Sequence, residues 1–278
     1  MDGRTLVFGA GWIGTQMAER LDAELSSDDI GDRGAIEQTL DRARPDRVVN
    51  CAGRTGRPNV DSLEAEPERT LHANVVGPIV LASACRERGI HFTHLSSGCL
   101  YSGDNGGAGF AETDAPNFDG SLYSRSKALA EAALRDLDAL QLRLRLPISE
   151  VPGSRNLLTK LLAFDRVIRV PNSVTVLEDF WDAAFGLMDR RATGLWNVVN
   201  PGVETHDALL GVYRELVDPS IRFDVIGEND LGDALGKRSN CILSSAKLDA
   251  AGLGLPPLDE SLPRVVRAYG ANLAAAAD

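Results

Sequence analysis

Apolar residues come in short unbroken runs through the first half of the chain, and each run leads into a longer stretch with helical spacing. Leu6-Val7-Phe8 is the first such run. A short apolar run closed by glycine reads as a strand buried on both faces. The pattern predicts strands at Thr5–Phe8, 23–26, Arg47–Asn50, 91–96 and 141–146, and a late one at 196–199. Helices are predicted at 15–21, 35–43 and 121–137. A longer helical region at 68–88 is interrupted at Gly77-Pro78, and Pro45 ends the second helix. The fifth strand alternates apolar and polar residues on its way to Pro147. The alanine-rich tail from Ala271 reads as frayed.

Repeated strand-then-helix order implies a parallel sheet with helices on both faces. The expected fold class is therefore α/β, a Rossmann-type doubly wound parallel sheet with a smaller C-terminal lobe. Residues 1–148 form the expected dinucleotide-binding part, with a return to the sheet near 174–200. The less regular residues 149–278 form the lobe expected to take the substrate.

Composition narrows the partners. Hydrophobic content of 44% and charged content of 25% are those of a globular protein. A formal charge of −11 disfavours nucleic acid and anionic membranes. The opening MDGRTLVFGAGWIG carries an acidic second residue and interspersed glycines, unlike a signal peptide, and no apolar run nears the ~20 residues of a membrane helix. Cys51, Cys85, Cys99 and Cys241 form no CxxC pair, so a reducing, cytoplasmic setting is expected. The histidines suggest no metal site. His91 and His94, three apart on a strand, face opposite sides and read as structural.

Gly9-x-Gly11-x-x-Gly14 follows the first strand directly and opens a helix. Glycine suits a chain that turns sharply and lets its backbone approach a pyrophosphate, with helix N–H groups and the positive dipole end facing the anion. The acidic residue that would take the adenosine ribose hydroxyls and disfavour a 2′-phosphate is Asp28 or Asp29, with no arginine or lysine beside it. This leans towards NADH within an NAD(P)H requirement. The alternative is that both aspartates cap the next turn.

Tyr123 and Lys127 stand four apart and share one helical face. A phenol loses its proton near pH ~10, and a neighbouring ammonium favours the phenolate. The lysine can also hold a nicotinamide ribose. A hydroxyl is then needed to orient a carbonyl, and THLSSGCLY supplies Ser96 and Ser97 at the end of the fourth strand. Cys99 lies two residues beyond Ser97, so on an extended strand both face one way. A thiol of intrinsic pKa ~8.5 exchanges protons near neutrality beside a cation, and otherwise it is a small buried hydrophobe. Cys51 ends the third strand and reads as core.

The glycine loop, NCAG after the third strand, SSGCLY and YSRSK together resemble an extended short-chain dehydrogenase/reductase acting on nucleotide sugars. The resemblance sharpens to the nucleotide-rhamnose synthase/epimerase-reductases, relatives of dTDP-4-dehydrorhamnose reductase. NCAGRTGRPNVDSLE, APNFDGSLYSRSKALAE, LRLRLPIS, RNLLTK, VPNSVTVL, GLWNVVNPG and KRSN are similar to that group's segments, in order from residue 5 to about 250. The resemblance implies a 3,5-epimerase/4-reductase that turns a nucleotide-4-keto-6-deoxyglucose into a nucleotide-L-rhamnose. The C4 carbonyl acidifies the C3 and C5 protons, so one base and one acid can invert both centres through enolates. Ser97, Tyr123 and Lys127 are then the reductase residues, with Cys99 and Lys160 active in epimerisation. The cofactor is expected along Gly9, Gly11, Trp12, Ile13, Gly14, Asp29, Ala52, Gly53, Tyr123, Lys127 and Pro147, although the Trp12 ring reads as packing beneath the loop. Thr55, Arg57, Asn59, Asn156 and Arg238 are the expected contacts to a nucleotide-diphosphate sugar, Arg238 as a guanidinium fork on the diphosphate. Asn74 matches the group's helix asparagine, with a structural hydrogen-bonding role. The resemblance also implies a homodimer through helices flanking the sheet.

The chain departs from the group in three places. The glycine loop is one residue shorter than Gly-x-x-Gly-x-x-Gly, SSDD replaces Gly-Ser-Gly-Arg after the second strand, and the region before Lys160 is about two residues shorter. UDP, dTDP and GDP carriers all fit the pattern. Alternatives are a plain 4-ketoreductase, an epimerase of another deoxysugar, or a dinucleotide-sensing subunit, which would typically lack the tyrosine or lysine. A 4,6-dehydratase is disfavoured because Gly98-Cys99 stands where those enzymes carry Asp-Glu.

Overall fold

The computed structural model describes residues 3–57, 59–227, 230 and 236–276. Its elements run β1 (Thr5–Phe8), α1 (Trp12–Leu21), β2 (Glu24–Ser26), α2 (Arg33–Ala43), β3 (Arg47–Asn50), α3 (Pro67–Leu71), α4 (Gly77–Glu87), β4 (His91–Ser97), α5 (Leu122–Leu134) and β5 (Leu140–Leu144). They continue as β6 (Pro147–Ile148), α6 (Leu157–Leu161), β7 (Arg166–Ile168), β8 (Thr175–Val176), α7 (Leu177–Asp189), β9 (Gly194–Asn197), α8 (His206–Leu216), β10 (Asp224–Ile226), α9 (Ala246–Ala250) and α10 (Leu258–Ala275). Two compact units result.

The first unit comprises Met1–Leu100, Pro116–Arg143 and Phe185–Trp196. Its six-stranded sheet has the order β2-β1-β3-β4-β5-β9, a doubly wound, Rossmann-like arrangement whose strand order reverses between β1 and β3. Leu6, Val7 and Phe8 are fully buried, as expected for a strand with parallel neighbours on both sides. Phe8 is in register with Ser26 and Asn50, and Asn50 with His94. The chain therefore leaves β1, β2 and β3 at one level, and the loops that follow gather along the carboxyl edge of the sheet. Ile36 and Leu40 of α2 and Leu81 and Cys85 of α4 close a core over Leu6, Phe8, Val48 and Phe92.

The helical region 68–88 is not broken at Gly77-Pro78. It widens into a π turn over His72–Val76 and continues. Pro78 offers no N–H to the carbonyl four residues back, and the ladder shifts so that the Gly77 N–H reaches the His72 carbonyl. In β5 the alternation of apolar and polar residues does not mark a solvent face, since all five residues are buried.

The second unit, Tyr101–Ala115, Leu144–Ala184 and Asn197–Asp278, is nearly equal in length to the first. It holds two small parallel pairs, β6 with β8 and β7 with β10. Leu158 of α6, Leu209 of α8 and Val266 and Tyr269 of α10 share its core. Beside the expected division, 1–148 with a return near 174–200, the first unit takes back Phe185–Trp196 and the second takes Tyr101–Ala115. Residues 101–115 join this unit because Gly103 bridges Cys241 and Phe110 bridges Leu243, pairings too distant in sequence for a local pattern to announce. The tail expected to fray from Ala271 continues as helix to Ala275.

Candidate active site

Two of the loop glycines are dictated by the fold itself. Gly9 has φ of +99°, and a Cβ there would lie 2.4 Å from the Ala52 nitrogen. A Cβ on Gly14 would lie 1.9 Å from the Gly9 carbonyl oxygen and 3.1 Å from the Cys51 Cβ. Gly11 is different. Its φ of −90° and ψ of −177° suit any residue, and a Cβ there would meet no atom within 4 Å. Gly11 is the N-cap of α1, with no side-chain cap and no acidic residue in the first turn. Unsatisfied N–H groups and the positive dipole end thus face open space, which fits an anionic pyrophosphate. Trp12 and Ile13 are half-buried, and the Trp12 indole N–H is enclosed without a partner among the described residues.

The aspartates after β2 divide their tasks. The Asp28 carboxylate accepts from the hydroxyls of Thr39 at 2.6 Å and Ser26 at 2.8 Å, which hold its pKa below the usual carboxylate value. Asp29 caps its own turn by accepting from the Gly31 N–H at 2.8 Å, yet its side chain stays 65% exposed.

The helix carrying Tyr123 and Lys127 is anchored from three sides. Ser121 caps it by accepting from the Ser124 N–H. Glu64 accepts from the Leu122 N–H at 2.5 Å and from the Arg125 guanidinium at 3.2 Å. Asn74, on the π turn and fully buried, accepts from the Arg54 N–H at 2.7 Å and donates to the Arg54 carbonyl and the Ser126 hydroxyl. Ser126 in turn donates to the Tyr123 carbonyl. The expected structural role of Asn74 thus has a definite form: it ties the chain after β3 to the reactive helix.

The end of β4 departs from the extended strand expected through Cys99. The strand stops at Ser97, and the Ser97 hydroxyl accepts from the Cys99 N–H at 3.2 Å, closing a serine-type turn. Ser97 is buried and Cys99 half-buried. They are neighbours through this turn rather than through strand alternation.

Lys127 is buried, and its ammonium donates to the Leu95 carbonyl at 3.0 Å. Burial pushes its pKa down to about 8, while Glu131, Cys51 and Cys99 act in the opposite direction. Burial also pushes the Cys51 thiol up to about 12, as suits the core residue expected there. His94 is held well below its ordinary value by burial and by Lys127, and its ring meets the Asn50 amide at 3.1 Å. His91 meets the Ala192 carbonyl at 2.9 Å. Among the described residues no group of His, Cys, Asp or Glu could hold a metal, and no helix is long and apolar enough to cross a membrane.

Sequence reasoning missed Glu131 and Arg143. Their side chains are 4% and 1% exposed. The Arg143 guanidinium donates to both Glu131 oxygens, and the Ser96 hydroxyl donates to the same carboxylate at 2.5 Å. The available signal was Glu131's position four residues beyond Lys127, on the face already assigned to chemistry.

Thr55, Arg57 and Asn59 are exposed on the loop after β3, where Asn59 accepts from the Asp61 N–H and the Arg57 N–H donates to Ser62. Ala52 and Gly53 begin that loop, and a Cβ on Gly53 would lie 3.9 Å from the Lys127 nitrogen. The remaining expected site residues belong to the second unit. Pro147 pairs with Thr175 in β6, Lys160 is exposed on α6, and Arg238 donates to the Lys237 carbonyl. Asn156, expected to touch a sugar, is instead the buried N-cap of α6. Its amide donates to the Ser149 and Val151 carbonyls and its oxygen accepts from the Leu158 N–H.

The chain is similar to known proteins over nearly its whole length. The bifunctional dTDP-4-dehydrorhamnose 3,5-epimerase/dTDP-4-dehydrorhamnose reductase of Arabidopsis thaliana is 35% identical, covering 94% of this chain and 91% of its own length. A trifunctional UDP-glucose 4,6-dehydratase/UDP-4-keto-6-deoxy-D-glucose 3,5-epimerase/UDP-4-keto-L-rhamnose-reductase of the same plant is also 35% identical over 96% of this chain, which spans 42% of that enzyme's length. The crystal structure of the L780 UDP-rhamnose synthase of Acanthamoeba polyphaga mimivirus superposes with a TM-score of 0.90 at 29% identity, covering 96% of this chain and all of that one. The family model of the RmlD substrate binding domain matches residues 4–179, well over half of the sequence. With that match and relatives aligned over nearly its whole length, the chain belongs to the RmlD substrate-binding domain family.

Proposed function

We propose that this chain is an NAD(P)H-dependent enzyme that epimerises a nucleotide-4-keto-6-deoxyglucose at C3 and C5 and then reduces C4, giving a nucleotide-L-rhamnose. The observation that carries the reading is the open N-terminus of α1 at Gly11 after β1, together with Ser97 at the end of β4 and the Lys127 ammonium of α5 held on the Leu95 carbonyl of that same strand. The alignment with a bifunctional epimerase/reductase supports the substrate class.

The first unit holds the dinucleotide, with its pyrophosphate at Gly9, Gly11 and Gly14 and its adenosine ribose at Asp29, whose exposed carboxylate favours NADH over NADPH. When bound, the reduced nicotinamide supplies the hydride. Ser97 orients the C4 carbonyl, and Tyr123 donates a proton to its oxygen as negative charge develops there. Lys127 stabilises the phenolate left on Tyr123. In the epimerisation, Cys99 removes the acidified proton and Lys160 returns one, by resemblance to the family. Thr55, Asn59, Arg57 and Arg238 contact the nucleotide-diphosphate sugar, whereas Asn156 shapes the loop that precedes Lys160. None of the four cysteines is in a disulfide, which supports a reducing, cytoplasmic setting.

The direct test incubates the protein with UDP- and dTDP-4-keto-6-deoxyglucose in heavy water, with NADH or NADPH. The expected product is an L-rhamnose nucleotide carrying deuterium at C3 and C5. A product reduced at C4 with no deuterium removes the epimerase half, and no cofactor consumption with either sugar removes the whole reading.

The glycine loop gives a separate prediction. Gly11→Ala should fold with wild-type stability, because its Cβ meets nothing in the protein. It should bind NADH at least about tenfold more weakly, since the methyl enters the space left for the pyrophosphate. Gly14→Ala should lose thermal stability outright, because its Cβ would overlap the Gly9 carbonyl. Thermal melts alongside fluorescence titration with NADH separate the two effects.

A further inference from the structure

Glu131 and Arg143 take no part in the chemistry proposed above, yet they form a fully buried ion pair directly behind it. Arg143 reaches the carboxylate through Nε at 2.9 and 3.1 Å and through Nη2 at 2.6 Å, and the Ser96 hydroxyl completes the shell. A buried ion pair is weak evidence for stability, because apolar residues of the same volume often serve as well. Its place on the reactive helix therefore calls for another account. We propose that Glu131, held by Arg143 and Ser96, is a positioning residue that keeps Lys127 an ammonium and anchors the strand end bearing Ser97.

Tyr123, Lys127 and Glu131 follow one another at four-residue intervals, so they line a single face of α5, with Glu131 a turn deeper than Lys127. The groups that face Lys127 come from every side. The carbonyl of Leu95 and the ring of His94 come from β4, Cys51 from the end of β3, Cys99 from the turn after β4, and Tyr123 and Glu131 from its own helix. Arg143 of β5 lies behind Glu131. His94 is held neutral by burial and by Lys127 itself, and Cys51 is a neutral thiol at physiological pH. Neither carries a net charge, and Cys51 ranks behind Glu131 among the groups that favour the ammonium. Glu131 leads the influences that keep Lys127 protonated against its burial. In the same contact its carboxylate holds the hydroxyl of Ser96, the residue before Ser97. One side chain thus governs both the charge of the lysine and the placement of the serine.

The chain has four lysines, so lysine-selective carbon-13 labelling gives a spectrum in which Lys127 is assigned by its loss in Lys127→Met. Its resonance should titrate near pH 8 in the native protein. In Glu131→Gln the acid dissociation constant of Lys127 should rise at least about tenfold, moving the midpoint down. In Glu131→Gln/Arg143→Met, which removes both charges and suits a buried site better, the midpoint should also move down, by less. A merely structural pair predicts the opposite sign. Loosened packing hydrates Lys127 and carries its titration up towards that of a free lysine. An unchanged or raised midpoint in either variant overturns the proposal, and the double variant decides if the single one does not fold.

The consequence for catalysis rests on Lys127 serving the reductase. The alkaline limb of 4-keto reduction should move down in the same variants. A limb that stays in place while the lysine resonance moves would refute the reductase role of Lys127 and leave the charge balance standing.

Discussion

Tyr123→Phe should fold normally and bind NADH as the native protein does, yet reduce a 4-keto-6-deoxy sugar nucleotide at least about a hundredfold more slowly. Lost general acid catalysis is worth ~10² to 10⁴ in rate, and the ring itself keeps its place on α5. That place is fixed by contacts the hydroxyl does not make. Ser121 and Glu64 hold the start of the helix, and Asn74 and Ser126 hold the Tyr123 backbone. The loss should therefore appear in kcat, with KM little changed, as expected for an interaction formed in the transition state. Deuterium uptake at C3 and C5 should survive, since enolisation needs no proton from the phenol. The pH profile of the native enzyme should fall as pH rises past about 8, where Lys127 loses the proton that stabilises the phenolate. Stopped-flow cofactor oxidation, paired with mass spectrometry of the sugar, checks each part. Unimpaired reduction by Tyr123→Phe would remove the tyrosine from the chemistry.

Cys99→Ala should give the complementary result. Deuterium exchange at C3 and C5 should drop by about two orders of magnitude or more, while a preformed nucleotide-4-keto-L-rhamnose is still reduced. The structure makes this a demanding test. Cys99 is positioned by its own N–H, which donates to the Ser97 hydroxyl, so the contact survives loss of the thiol. Ser97 should remain in place, and any fall in exchange then reports on the sulfur. If Cys99→Ala exchanges normally, the thiol is a packing group.

Much of the fold was legible because its signals are local. Leu6-Val7-Phe8 ahead of the glycines reads as the core of a buried strand over Thr5–Phe8, and β1 has those bounds. Arg47–Asn50 likewise becomes β3. The region 68–88 was legible as helix, but its π turn was not. A missing N–H at Pro78 can be met by a break, a kink or a widened turn, and packing chooses among them. Asn156 read as a polar residue in a functional segment, and only the folded loop shows its amide fully engaged as a cap.

The sequence by itself determined the alternation of strand and helix, the glycine turn after β1 and the shared face of Tyr123 and Lys127. Each depends on backbone periods and residue sizes that act over a few positions. Tertiary structure alone decided the rest. The turn at Ser97 replaced the strand expected to run through Cys99. Residues 101–115 joined the second unit through pairings more than a hundred positions away. Arg143 looked like the polar half of an alternating strand because a sequence does not show what covers a sheet. Only when α5 lies over β5 do Arg143 and Glu131 meet, and their meeting places a buried negative charge one turn behind Lys127. The site's residue types could be read from the chain, but their charge balance depends on desolvation and through-space contacts that exist only in the fold.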